Sequence, residues 1–197
     1  MYLIFLYGVL LITRSIKNVI FFAFNPLVVI EVLINGHNDI YMMIFSLIGV
    51  YSWWHNRKIF GAISLFISWF IKGMTIVLLP LFFLQKKSWD QILAVSYWLV
   101  LIVFILFAPL REELYPWYAV WFISIAAYMK FDRELFVYWL TIVISIALEL
   151  RHLPYIWMGY YEGPGPMLRL LVTVVPVALF IPVFLFAKYK HNLQFKS

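Results

Sequence analysis

The densest group of chemically capable side chains is Asn35-Gly36-His37-Asn38-Asp39, set between apolar runs, with Glu31 one helical turn ahead of Asn35. A spacing of four puts Glu31 and Asn35 on one helix face, and Gly36 offers the positive φ that turns the chain. A glutamate inside a bilayer costs roughly 2.5 to 3.5 kcal/mol, so Glu31 is expected to face a cavity or a partner. The same five residues also read as a solvated loop in which Asn38 or Asp39 caps the following helix. One histidine with two carboxylates offers metal ligands, but the spacing matches no zinc motif and no metal site is assigned.

Lys72 stands between two apolar stretches, where its charge must be paired, hydrated or neutralised. A lipid phosphate is one counter-ion; a structural ion pair with Glu31 or Asp39 is the other reading. Pro116-Trp117-Tyr118 opens a further apolar run, with the proline where its missing N–H costs nothing. Its two aromatics fit an interface belt, or a stacking platform for a sugar or an isoprenoid chain with Arg111 beside it for phosphate. Gly163-Pro164-Gly165-Pro166 predicts an irregular loop, flanked by Arg151, His152 and Arg169, which either hold an anion or are solvated. Asn25-Pro26 predicts a kink upstream of Glu31.

The elements that must position these residues follow from composition. Of 197 residues, 65% are hydrophobic and only 12% charged, with a mean hydropathy of +0.95. A soluble domain carries about twice that charge, so the chain reads as a membrane protein. The apolar runs lack the alternation of a membrane barrel, which leaves helices. At roughly 20 residues per crossing, the expectation is an all-α, polytopic single transmembrane domain over residues 1–197, with about seven spans plus a hairpin of two half-helices. The net charge of +6 arises from short clusters between apolar runs and not from one continuous basic face, so no nucleic-acid partner is expected. Cysteine is absent, which excludes disulfides and thiolate chemistry.

Orientation follows from lysine and arginine. With Ile59 to Gln85 as a hairpin that enters and leaves on one side, Lys72 and Gly73 form its apex. One face then collects Arg14, Lys17, Arg57, Lys58, Lys86, Lys87, Lys130, Arg133, Lys188, Lys190 and Lys196. That face, with the C-terminus, is predicted to be cytoplasmic in a plasma or internal membrane. The loops Asn35 to Asp39, Arg111 to Tyr118 and Arg151 to Arg169 are then predicted to share the outer face. Met1 begins directly in an apolar run with no basic region before it, so the chain reads as one that starts mid-protein.

The run Asn25-Pro26-Leu27-Val28-Val29-Ile30-Glu31, then Asn35-Gly36-His37-Asn38-Asp39, then Lys72 with Leu78-Leu79-Pro80, then Pro116-Trp117-Tyr118 resembles the polyprenyl-phosphate-mannose-dependent mannosyltransferases of the glycosyltransferase C superfamily. The resemblance spans about residues 14 to 125. It implies an integral membrane enzyme that passes mannose or another hexose from a polyprenyl-phosphate carrier to an acceptor on the outer face, with the lipid-linked sugar as donor and no nucleotide sugar. It further implies a catalytic carboxylate in an outer loop ahead of every residue present, so the chain looks like the C-terminal portion of a larger transferase. On that reading a separate N-terminal half is a partner, and the isolated chain is expected to be inactive. The donor side would use Lys72 and Arg111 for phosphate, with Glu31, Asn35, His37, Asn38, Trp117 and Tyr118 around the substrate. Asp39 is the carboxylate placed to act as base within this chain. Two other classes stay open: a non-catalytic membrane subunit of a split transferase, and a small transporter, which would predict related halves.

Overall fold

Prolines and charges cut the apolar sequence into helices of unequal length, and those cuts decide where polar groups meet. The computed structural model describes residues 1–84, 87–110, 114–159 and 163–194, all helix or connection with no strand among them. The chain forms two compact units, Met1–Arg133 and Glu134–Ser197.

In the first unit, α1 (Tyr2–Thr13) packs on α2 (Ile16–Ala23), with Phe5 and Phe22 rings 4.2 Å apart in its core. Asn25 then stops the helix: its side-chain oxygen accepts from the N–H groups of Leu27 and Val28, and Pro26 starts α3 (Pro26–Val28) at the position that needs no donor. The axis bends by 57° at this break. α3 runs on as a π-helical turn, Val29–Ile34, in which Asn35 N–H donates to Ile30 C=O five residues back at 2.8 Å. Gly36, at φ 68°, and a bond from His37 N–H to Glu31 C=O close that end.

α4 (Asp39–Trp54) and α5 (Lys58–Ile71) pack closely because glycine faces glycine: a Cβ on Gly61 would sit 2.9 Å from the Gly49 carbonyl oxygen. Lys72 is extended and breaks the helix, and a 3₁₀ segment, Gly73–Leu84, returns alongside α5. At about 2.0 Å rise per residue, this 12-residue arm is about 24 Å long, close to the about 21 Å of the 14-residue α5. The chain therefore comes back to the level it left, where the Trp54 indole donates to the Lys87 carbonyl at 3.0 Å. This is the expected hairpin with Lys72 and Gly73 at its apex. A hydroxyl cluster joins its two arms to α4: Ser68 Oγ lies 2.7 Å from Ser46 Oγ and 2.6 Å from Thr75 Oγ1.

α6 (Trp89–Leu110) packs against a 3₁₀ turn, Pro116–Ala119, and against α7 (Val120–Ala126), every residue of which is buried. Asn18 ties α2 to the end of α7 through two bonds from its amide, to the carbonyls of Ala127 at 2.8 Å and Met129 at 2.7 Å. Lys17 pairs with Asp132, and Lys130 and Arg133 share Asp90, so these cations gather at the end where Trp89 packs on Trp54. The first residue of α4, Asp39, stands about 22 Å from that end at 1.5 Å per residue.

The second unit pairs α8 (Leu135–Leu150) with α10 (Gly165–Gln194), joined by α9 (Leu153–Met158), which Gly159 ends at φ 71°. Phe136 of α8 stacks on Phe180 and meets Phe184 edge-on, the two lying one turn apart on α10. The Gly163-Pro164-Gly165-Pro166 stretch is less irregular than expected. Gly165 already begins α10 and Pro166 sits in its first turn, where the missing N–H removes no helix bond.

Three helical stretches are long and apolar enough to cross a membrane, Trp89–Leu106, Leu135–Met158 and Gly165–Lys190, and a fourth if the bent pair Ile16–Ala23 and Pro26–Ile34 counts as one. The chain is therefore an all-helical membrane protein, with fewer full-length spans among the described residues than the seven expected. The expected kink at Asn25-Pro26 and apex at Lys72 are present, and with the turn at Pro116 they leave helices too short to be counted at about 20 residues per crossing.

Candidate functional site

Three breaks in regular α-helix meet at one end of the first unit: the π turn before Asn35, the hairpin apex at Lys72 and the 3₁₀ turn at Pro116. The backbone leaves ordinary helix at all three, which places polar side chains at helix ends and not along lipid-facing sides.

Asp39, in the first turn of α4, is fully buried. Its two oxygens each accept from Lys72 Nζ at 2.8 Å, and Oδ1 also accepts from the Trp121 indole N–H at 2.5 Å. Charge-assisted bonds on both oxygens stabilise an anion that burial would otherwise penalise. Lys72 keeps 26% of its side chain exposed, with its ammonium 4.8 Å from the centre of the Tyr118 ring and 5.9 Å from that of Trp121. Ring faces are favourable surroundings for a cation, and the carbonyl end of α5 adds a small attraction. Two of the three ammonium protons point at Asp39, which leaves one for another acceptor.

Beside this pair lies a second one. Glu31 is 3% exposed, and its Oε2 accepts from Asn35 Nδ2 at 3.1 Å and lies 3.1 Å from His37 Nε2. The His37 ring stacks on Trp117 with centroids 4.4 Å apart, and Trp117 stacks in turn on Tyr115 at 4.6 Å. Tyr118 contacts both Trp117 and Trp121, so the aromatic segment joins the Lys72–Asp39 and His37–Glu31 pairs into one site.

The residues singled out from sequence fall as follows. Glu31, Asn35, His37, Asp39, Lys72, Trp117 and Tyr118 come together. Lys72 pairs with Asp39 and not with Glu31. Asn38 stands at the N-cap of α4 without a side-chain cap bond, and Asp39 spends its oxygens on Lys72 and Trp121, so neither caps the helix in the expected way. Arg111 lies outside the described residues. Arg151, His152 and Arg169 belong to the second unit. Sequence reasoning missed Trp121, Tyr115 and the Ser46-Ser68-Thr75 cluster. A usable signal existed for Trp121, which follows Trp117 by one helical turn. No group of three or more His, Cys, Asp or Glu that could hold a metal ion occurs among the described residues.

Residues 11–86 match the model of the MptA_B family, an alpha-(1->6)-mannopyranosyltransferase, N-terminal domain. The match covers Asn25, Glu31, Asn35 to Asp39 and Lys72, and supports a mannosyltransferase-like membrane protein. No curated protein and no solved structure matches the chain.

Proposed function

We propose that the first unit carries the donor side of a membrane mannosyltransferase, which takes mannose, or another hexose, from a polyprenyl-phosphate carrier and delivers it to an acceptor on the outer face, opposite a cytoplasmic C-terminus. The observation that carries this reading is Lys72. Its ammonium is fixed by the buried Asp39 carboxylate, partly exposed, and left with one free donor at the hairpin apex. An ammonium so placed suits a phosphate oxygen that gains charge as the glycosidic bond breaks, because the donor is oriented before the reaction begins. Asp39 acts as a positioning residue: it is fully buried and both its oxygens are engaged, which leaves it badly placed to take a proton from an acceptor. Trp117, Tyr118 and Tyr115 form the aromatic border against which the sugar or the first isoprene units would lie. Glu31, Asn35 and Asn38 border the same site, and Arg111 is proposed as a second phosphate contact.

The test is mannose transfer from polyprenyl-phosphate-mannose to a methyl α-mannoside by the purified chain in lipid nanodiscs, with and without a polypeptide supplying an N-terminal half. Lys72→Ala is expected to raise the donor KM and lower kcat while acceptor choice is unchanged. Equal donor use by wild type and Lys72→Ala would overturn the assignment of the phosphate site. The absence of any lipid-phosphate-sugar binding by the wild type would overturn the function.

A further inference from the structure

We propose that His37, held by Glu31, is the proton acceptor for the hydroxyl of the incoming acceptor. This rests on the mannosyltransfer reading above and adds a catalytic residue to it. Three groups near the aromatic segment have base character, and their surroundings separate them. Asp39 is fully buried with both oxygens on Lys72 and one on Trp121. Glu31 is 3% exposed, with Oε2 occupied by Asn35 and His37. His37 is the exposed one, with 30% of its side chain open.

The ring is oriented for the task. Its Nε2 faces the buried Glu31 carboxylate at 3.1 Å, which an anion tolerates only if that nitrogen carries the proton. The lone pair is thereby left on Nδ1, which has no partner among the described residues. Stacking on Trp117 at 4.4 Å and 19° fixes the ring plane. A base bound to a second carboxylate on its far side is the arrangement in which the imidazolium, once formed, is stabilised where it stands. Around it, the π turn contributes Glu31 and Asn35, the aromatic segment contributes Tyr115, Trp117 and Tyr118, and α4 with the hairpin apex contributes the mutually neutralised Asp39 and Lys72.

The step balances. The acceptor oxygen forms a bond to the anomeric carbon, the bond from that carbon to the phosphate oxygen breaks, and its electron pair leaves with the phosphate. The hydroxyl proton moves to His37 Nδ1 and returns from there to water. Nothing is oxidised or reduced.

The experiment compares wild type, His37→Gln and Glu31→Gln in the nanodisc assay, with binding of radiolabelled polyprenyl-phosphate-mannose measured separately. His37→Gln should lower kcat about 100-fold or more, abolish the acidic limb of the kcat pH profile, and leave donor binding within about twofold. Glu31→Gln should lower kcat by a smaller factor than His37→Gln, because the histidine remains and only the group that orients it is changed. An active wild type whose rate and acidic limb survive His37→Gln would overturn the proposal and leave the mannosyltransfer reading standing. A wild type that binds no donor overturns that reading instead. Imidazole nitrogen NMR on the wild type is independent of turnover and of whether the variants fold: it should show His37 protonated at Nε2 when neutral, and protonation at Nδ1 would overturn the dyad.

Discussion

Removing both charges of the Asp39–Lys72 pair should cost much less than the sum of the two single removals. Breaking a buried ion pair from one side typically costs about 3 to 5 kcal/mol, because the remaining charge is left uncompensated. The two sides are not equivalent. In Lys72→Met the Asp39 anion stays at 0% exposure with the Trp121 indole as its remaining side-chain donor, so a loss near about 4 kcal/mol is expected. In Asp39→Asn the ammonium keeps 26% of its side chain exposed and can be hydrated, so a smaller loss of about 2 to 3 kcal/mol is expected. The double variant leaves a neutral amide that still accepts from Trp121 beside an apolar chain of similar length, and should lose about 3 kcal/mol in all. The assay is equilibrium unfolding in mixed micelles, followed by tryptophan fluorescence and read as a double-mutant cycle. Losses that add to within about 0.5 kcal/mol would refute the reasoning, because residues that do not touch are the ones that behave additively. The order of the single variants is a second check: if Asp39→Asn proved the more damaging, the assignment of the deeper burial to the carboxylate would be wrong.

Trp121→Phe keeps most of the ring packing but removes the N–H on Asp39, and should lose about 1.5 to 3 kcal/mol by the same unfolding assay. Gly61→Leu drives a side chain into the Gly49 carbonyl, 2.9 Å from where its Cβ would stand; parting α4 from α5 should cost about 1 to 3 kcal/mol and lower the thermal midpoint. The cysteine-free chain allows single-site labelling: His37→Cys should react with a membrane-impermeant maleimide from outside and Lys87→Cys from the cytoplasmic side, and reaction of both from one side would contradict the orientation.

Much of the site was legible because its residues are expensive where they are. A lysine or a carboxylate in an apolar stretch demands a partner, and that demand was enough to place Lys72 beside the Asn35 to Asp39 segment and Glu31 beside Asn35. The choice of Asp39 over Glu31 was not legible. It depends on the π turn, which one extra residue in the Val29–Ile34 winding creates and no periodicity announces. Trp121 was hidden for the opposite reason, since an indole in a fully buried helix looks like packing until its N–H is followed to a carboxylate. The long 3₁₀ arm of the hairpin escaped as well. Its apolar composition fits either winding, and only the need to span the length of α5 with fewer residues selects the tighter one. The excess in the expected number of spans has the same root, because hydropathy measures how apolar a run is and not where its backbone bends.

The Asp39–Lys72 pair also bears on how the chain enters a membrane. Its two charges are made 33 residues apart, one at the start of α4 and one at the end of α5, and the indole that completes their shell follows 82 residues after Asp39. Inserted singly, each charged helix would face a penalty of about 2.5 to 3.5 kcal/mol at the bilayer centre. Inserted together, α4 and α5 bring these two charges into one neutral pair. Nascent chains arrested before residue 72 should therefore be extracted by alkaline carbonate more readily than chains arrested after it, and Lys72→Met should remove the difference. The close glycine contact between α4 and α5 fits this order, since it lets the two helices pair before the rest of the unit exists to hold them.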